Sequence, residues 1–375
     1  MRIGLLVYGD INTISGGYLY DRKLVEVLRA YGDEVIIISL KKTSYGRALF
    51  SNKIPPELEK YTKHKQIEGT NASKESGLDI LIQDELVHPS FWRINHQLKK
   101  QLKCPIVSLV HLLSSAMPNN YYKNLVCRCI EKRYLNSIDG LILNSEETLK
   151  QANKLLHNKL PPNLIAVPCG DNFKQAEVLR KDYAKQQLKI LFVGNITQQK
   201  GLHVLIKAMC QLDKNISLSV VGREDLAPGY IKNIKTYIKL NRLDKQIVFY
   251  GPLINEALQE KYLEHDVFVL PSVNEAYGIV FLEAMQFGMP VVGCKFGGAK
   301  EIINEGENGY LIDPEDSNTL AELINGLEHD RQLLAQLSVS AREKYLQHPR
   351  WDESMSKVRT FLQELSKQQE DLTFA

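Results

Sequence analysis

Residues 271–293 read PSVNEAYGIVFLEAMQFGMPVVG, and the way this stretch alternates decides what kind of fold the chain can adopt. The apolar run Val267–Leu270 precedes it and a second, Pro290–Val292, ends it, so it reads as strand, loop, helix, turn, strand. Gly278 stands where the helix should begin. Glu275 falls in the loop and Glu283 on the helix, eight residues apart. At about 1.5 Å per helical residue that is roughly 12 Å or less, with both carboxylates within about 80° of one face. Such a pair suits a ligand with two hydroxyl-rich ends and an anionic middle lying over the helix N-terminus. A nucleotide-sugar has that form.

Outward from this stretch, 375 residues exceed one ordinary core, so two domains are expected. The composition, 44% hydrophobic and 24% charged, is globular, and no apolar run reaches the length of a membrane span. The opening MRIGLLVYGD reads as a first buried strand rather than a signal peptide. Of six cysteines only Cys127 and Cys129 are close, at a spacing that suits neither a zinc knuckle nor a redox pair. Free thiols in a reducing cytoplasm are expected. Residues 1–170 hold 23 Lys and Arg against 16 Asp and Glu, a net +7, whereas the remainder carries −4. That asymmetry implies different partners for the two halves. Nucleic acid is excluded because the basic residues are not interleaved with aromatics in any reader motif.

Along the first half, RIGLLVY (2–8), a glycine-bearing loop, a helix with Leu24, Val25, Val27 and Leu28, and the strand Glu34–Leu40 form a right-handed βαβ unit. Gly16 and Gly17, read as lying just before the helix, admit a ligand close to the backbone or simply make a turn. Residues 41–77 are polar and poor in pattern, either a solvated loop or a face for an anionic acceptor. Strands follow at Asp79–Gln83, Pro105–His111 and Gly140–Asn144. His111 stands at a strand's carboxyl end, where open parallel sheets bind ligands. Residues 118–135 form an amphipathic helix with Tyr122, Leu125, Val126, Cys129 and Ile130 on one side, either packed on the core or lying on a membrane surface. In the second half, strands at Lys189–Val193, Ser217–Val221, Ile247–Tyr250, Val267–Leu270, Pro290–Val292 and Gly309–Ile312 alternate with helices, and helices at 317–329, 331–346 and 353–368 close the chain.

The series ILFVGNITQQKG, VVG, IVFYGPL, FVLPSVNEAYGIVFLEAMQFGMPVVG, FGGAKEII and GENGYLI resembles the retaining family-4 glycosyltransferases of the GT-B fold. The resemblance covers nearly the whole chain and is strongest over 189–313. It implies an α/β protein of two doubly wound, Rossmann-like domains facing each other across a cleft. The N-terminal, acceptor-side domain would span 1–172 and the nucleotide-sugar donor domain 185–345, with 346–375 crossing back to the first.

Carried over by motif, Lys200 resembles the lysine that pairs with the donor diphosphate, His111 the histidine near the sugar, and Glu275 the residue facing the transferred sugar. Glu283 resembles the clamp on the ribose hydroxyls. Ala276, Tyr277, Gly278 and Ile279 would hold sugar hydroxyls and phosphate through their backbone, and Gly16 and Gly17 would lie near the diphosphate. The base would be read at the strand end bearing Val248, Gly251 and Pro252. Where the family often has an arginine this chain has Asn195, and Arg223 is the nearby substitute.

The implied reaction is retaining transfer from a nucleoside diphosphate-sugar, UDP rather than GDP, to an acceptor hydroxyl in cell-surface polysaccharide, glycolipid or glycoconjugate synthesis. No metal or other cofactor is expected, since no Asp-x-Asp occurs and cationic side chains would take its place. The expected partners are the donor and a carbohydrate, lipid-linked or anionic acceptor. Localisation would be cytoplasmic, with peripheral contact at the inner membrane face through the basic half. The alternative is a catalytically weak subunit that binds nucleotide-sugar for a partner transferase.

Overall fold

After its first residue Arg2–Tyr8 is apolar without alternation, the pattern of a strand covered on both faces, and it is buried from Ile3 onward. The computed structural model describes residues 1–62, 77–117, 121–173 and 187–374. The chain divides into two units, Met1–Pro168 with Trp351–Ala375, and Cys169–Arg350. Residues 63–76 of the polar stretch, 118–120 of the amphipathic helix and 174–186 of the connector lie outside the described residues.

In the first unit, β1 (Arg2–Tyr8), β2 (Glu34–Leu40), β3 (Ile80–Asp84), β4 (Ile106–Val110), β5 (Gly140–Leu143) and β6 (Asn163–Ile165) form a parallel sheet in the order β2-β1-β3-β4-β5-β6. The second unit repeats the plan. There β7 (Lys189–Val193), β8 (Ser217–Val221), β9 (Ile247–Gly251), β10 (Val267–Val269), β11 (Val291–Cys294) and β12 (Gly309–Ile312) pair as β12-β11-β10-β7-β8-β9. In each sheet the winding reverses once, between β1 and β3 and between β7 and β10. Ligands of open α/β sheets sit in the crevice at the carboxyl ends of such a strand pair.

Two local expectations change. Gly16 and Gly17 do not precede the first helix but begin it, with Ser15 as the cap that accepts the Tyr18 N–H. On the helix Tyr121–Leu135 the packed side is Cys127, Ile130, Glu131, Tyr134 and Leu135, while Tyr122, Leu125, Val126 and Cys129 are exposed. The inner face carries polar groups with definite partners: Tyr134 Oη donates to Ser108 Oγ at 3.0 Å, and Glu131 accepts the Ser115 N–H. An apolar count along the helix therefore selects the wrong side.

The last helix, Trp351–Phe374, buries Met355, Val358, Leu362 and Leu365 in the first unit. Ser354 Oγ donates to the Val167 carbonyl at 2.7 Å, and Arg359 reaches Asp33, whose side chain is 1% exposed, at 2.6 Å. Burial pushes the Asp33 carboxyl up, but the Arg359 guanidinium and the Met1 ammonium, 2.7 Å from Asp33 Oδ1, together outweigh it and hold it below the usual carboxylate range. A carboxyl held low stabilises the fold above its unfolded-state pKa and ceases to do so as pH falls through its folded value. Arg359→Ala is expected to cost about 1–3 kcal/mol at neutral pH and to weaken the acid-side dependence. Urea unfolding at pH 7 and pH 3 measures both.

Candidate active site

The loop after β7 and the loop after β10 meet at the winding reversal of the second unit. GNITQQKG tightens into a single 3-10 turn at Gln198–Lys200, closed by Gly201 in the left-handed region at φ 72°. Gln199 ties that turn to the opening stretch: its carbonyl accepts the Val273 N–H at 2.9 Å and the Ser272 hydroxyl at 3.2 Å, and its amide donates to the Asn274 carbonyl at 3.2 Å. So anchored, Lys200 Nζ forms an ion pair with Glu275 Oε1, with the two side chains 26% and 11% exposed. An ammonium and a carboxylate eight residues from Glu283 thus share one crevice.

The helix foreseen in the quoted stretch runs Ile279–Gln286, with Gly278 as its N-cap at φ 99°. A Cβ there would stand 2.5 Å from the Phe281 ring, so only glycine fits. Its first turn directs backbone N–H groups out of its end, beside Glu275. The Tyr277 side chain turns away, with its hydroxyl 2.8 Å from His348 Nε2, which leaves its backbone at the site.

Glu283, on this helix, has partners of its own. It is buried, and it accepts Asn172 Nδ2 at 2.7 Å and the Tyr262 hydroxyl at 2.9 Å. Burial pushes its carboxyl up against the pull of both hydrogen bonds. Asn172 is carried by a short segment that folds over this helix. Phe173 packs edge-on against Tyr262 and Phe287, and its carbonyl accepts the Gln286 amide at 3.3 Å. Sequence reasoning missed both partners of Glu283, since an Asn in a polar connector and a Tyr on a separate helix carry no motif.

Asn195 and Arg223 lie on adjoining turns: the Arg223 carbonyl accepts the Ile196 N–H at 3.0 Å. The Arg223 guanidinium, however, is spent on Asp225, at 3.0 and 2.6 Å. On β9, Val248 is 47% exposed and Gly251 ends the strand at φ 68°. A surface cavity of about 300 Å³ on this unit is lined by Gln198, His203, Lys207 and Tyr230 among others, and Lys200, Glu275 and Glu283 are not in its lining.

In the first unit, Gly17 and His111 adjoin: a Cβ on Gly17 would stand 3.4 Å from the imidazole. His111 Nε2 is 3.1 Å from Asp21 Oδ1, and Glu85 accepts the His111 backbone N–H at 2.9 Å. Burial would push this imidazole down. The Asp21 hydrogen bond and the charges of Asp21, Glu85 and Asp84 outweigh it and bring it up to about 10. Asp21, Asp84 and Glu85 were not singled out in the sequence, although QDEL directly follows the apolar part of β3 at its carboxyl end.

The fold is shared with solved glycosyltransferases of the GT-B type. Sucrose-phosphate synthase of Thermosynechococcus elongatus superposes with a TM-score of 0.78 at 23% identity, covering 97% of this chain and 98% of the other. HepE of Anabaena, in complex with UDP and glucose, superposes with a TM-score of 0.74 at 19% identity, covering 97% and 100%. In sequence, the D-inositol 3-phosphate glycosyltransferase of Corynebacterium efficiens is 26% identical over 279 residues, 65% of this chain and 64% of that protein. The chain thus spans 62% and 64% of the length of the first curated relatives it matches. The family model described as Glycosyl transferases group 1 matches residues 148–344, more than half of the chain and the whole Lys200, Glu275 and Glu283 constellation. The chain belongs to the group 1 glycosyl transferases.

Proposed function

We propose that the protein is a retaining glycosyltransferase that moves a sugar from a nucleoside diphosphate-sugar, with UDP preferred, to an acceptor hydroxyl. The observation that carries this reading is the Lys200–Glu275 pair at the winding reversal, beside the N-terminus of the helix that bears Glu283. Lys200 is a compact positive charge held by its own turn, suited to the charge that grows on a leaving diphosphate. Without donor it is held by Glu275. On donor binding the ammonium changes partner, and the carboxylate it releases turns to hydroxyls of the transferred sugar.

Glu283 accepts one hydrogen bond on each oxygen, and a carboxylate has about four lone-pair sites, so two remain for ribose hydroxyls. The leaving phosphate takes the acceptor proton on the same face, through an oxocarbenium-like state. Neither glutamate then acts as the acid or base of a hydrolytic pair. The diphosphate is met by Lys200 and the helix N-terminus without a metal. His111 serves as the sugar-side group of the first unit. The acceptor is a carbohydrate, lipid-linked or anionic molecule, which the +7 charge of residues 1–170 favours.

Calorimetry and thermal shift with a panel of nucleotide-sugars test the reading, since a bound donor raises apparent stability by mass action. A UDP-sugar is expected to bind wild type, and Glu283→Ala is expected to lose it. Equal nucleotide affinity in both proteins would contradict the ribose assignment.

A further inference from the structure

The helix Tyr121–Leu135 turns toward solvent the side chains that a core-packed helix would hide. Tyr121 and Tyr122 are 76% and 79% exposed, and Leu125 and Val126 are 51% and 47% exposed. The two tyrosine rings meet edge to face, with centroids 5.8 Å apart. At about 100° per residue, Tyr121, Leu125, Cys129, Tyr122 and Val126 fill an arc of about 140°. Cys127, Ile130 and Tyr134 are buried on the opposite side, so the helix is anchored without this strip.

The same outward side is basic. Arg128 and Arg133 are exposed, Lys132 is half-buried, and none of the three has an ion-pair partner among the described residues. The one acid of the helix, Glu131, is turned inward, where it is buried and accepts the Ser115 N–H. The helix His88–Gln101 packs beside it and has no acidic residue. Its Trp92 gathers a cation from each helix: the Arg93 and Arg133 guanidiniums lie 4.2 and 5.2 Å from the ring centroid.

We infer that this side of Tyr121–Leu135 docks the protein on an anionic lipid surface. An interfacial helix pairs an apolar strip with basic residues: the strip enters the acyl boundary while the cations meet the headgroups. Tyrosine suits that boundary, because its ring is apolar and its hydroxyl stays wet. Charge selects among the possible occupants. In an isologous pair with a second copy the same face would supply both sides, setting arginines near arginines with no exposed acid of this helix to pair them. A partner held by charge alone would leave the apolar strip wet. The contact is peripheral in kind, and no helix of the described residues is long and apolar enough to cross a membrane.

The test needs neither donor nor acceptor, so it stands or falls apart from the transferase reading. Full-length protein is sedimented with vesicles of phosphatidylcholine, alone or mixed with phosphatidylglycerol. The salt is about 0.1 M or about 1 M, where the Debye length is about 10 or about 3 Å. Binding is expected on the anionic vesicles at the lower salt, with release at the higher and little binding to the neutral ones. Each surface arginine contributes about fivefold, so Arg128→Gln/Arg133→Gln should bind about 25-fold more weakly. Leu125→Ser/Val126→Ser, at unchanged charge, is expected to lose at least about tenfold. Both replace exposed side chains, and circular dichroism checks that each variant is folded. No binding of wild type to the anionic vesicles overturns the assignment, as does equal binding to neutral ones or binding that neither double variant weakens. A vesicle-free dimer that Leu125→Ser/Val126→Ser dissociates also overturns it, by giving the face to a second copy.

Discussion

Lys200→Ala is expected to lower turnover by about 10²–10³-fold, the loss typical when one preorganised stabiliser of developing charge is removed. Its effect should exceed that of a lost surface cation, because Lys200 is paired with a carboxylate that is only 11% exposed. Removing the ammonium leaves Glu275 uncompensated beside the position proposed for the diphosphate, so the variant loses an attraction and gains a repulsion. The double variant Lys200→Ala/Glu275→Gln separates the two effects. It should recover part of the nucleotide affinity measured by calorimetry and none of the single-turnover rate. Rate recovery in the double variant would show that Lys200 only neutralises Glu275.

The second large effect falls one residue further on and acts on the fold. Gly201 has φ 72°, and a Cβ there would stand 2.0 Å from the Pro271 carbonyl oxygen, a backbone atom that no rotamer change can move aside. Gly201→Ala therefore combines left-handed strain of about 1–2 kcal/mol with an overpacking cost of about 1–3 kcal/mol. A total near 3 kcal/mol corresponds to a fall of about 6–12 °C in melting temperature for a unit of this size. Scanning calorimetry of the full chain measures it, and an unshifted transition would contradict the close approach. Activity should fall too, because the turn that would yield is the one that aims Lys200.

The two doubly wound sheets, and the helix starting at Gly278, were legible in the sequence because apolar runs and glycines report local periodicity and backbone freedom directly. Lys200 and Glu275 were legible as members of one motif series, and the fold brings them into contact. What stayed hidden depends on pairing across distant segments. The Glu283 partners Asn172 and Tyr262 are separated from it by 111 and 21 residues. Asp21 and His111 are 90 apart. The helix Tyr121–Leu135 was read on the wrong face because its buried side includes Glu131 and Tyr134, whose burial rests on hydrogen bonds that hydropathy does not count.

The return of Trp351–Phe374 to the first unit carries a consequence for how the protein is made. Asp33 and Arg359 are 326 residues apart in the chain, yet they belong to one folding unit. During synthesis the second unit is complete before the last helix of the first has been translated. The sheet of the first unit must therefore wait with the face for Met355, Val358 and Leu362 uncovered. Early folding of the second unit shortens the effective loop that this long-range contact has to close. Expression of 169–350 alone is thus expected to give a folded second unit. Expression of 1–168 alone should give an aggregation-prone one, rescued when the 351–375 helix is supplied on a short linker.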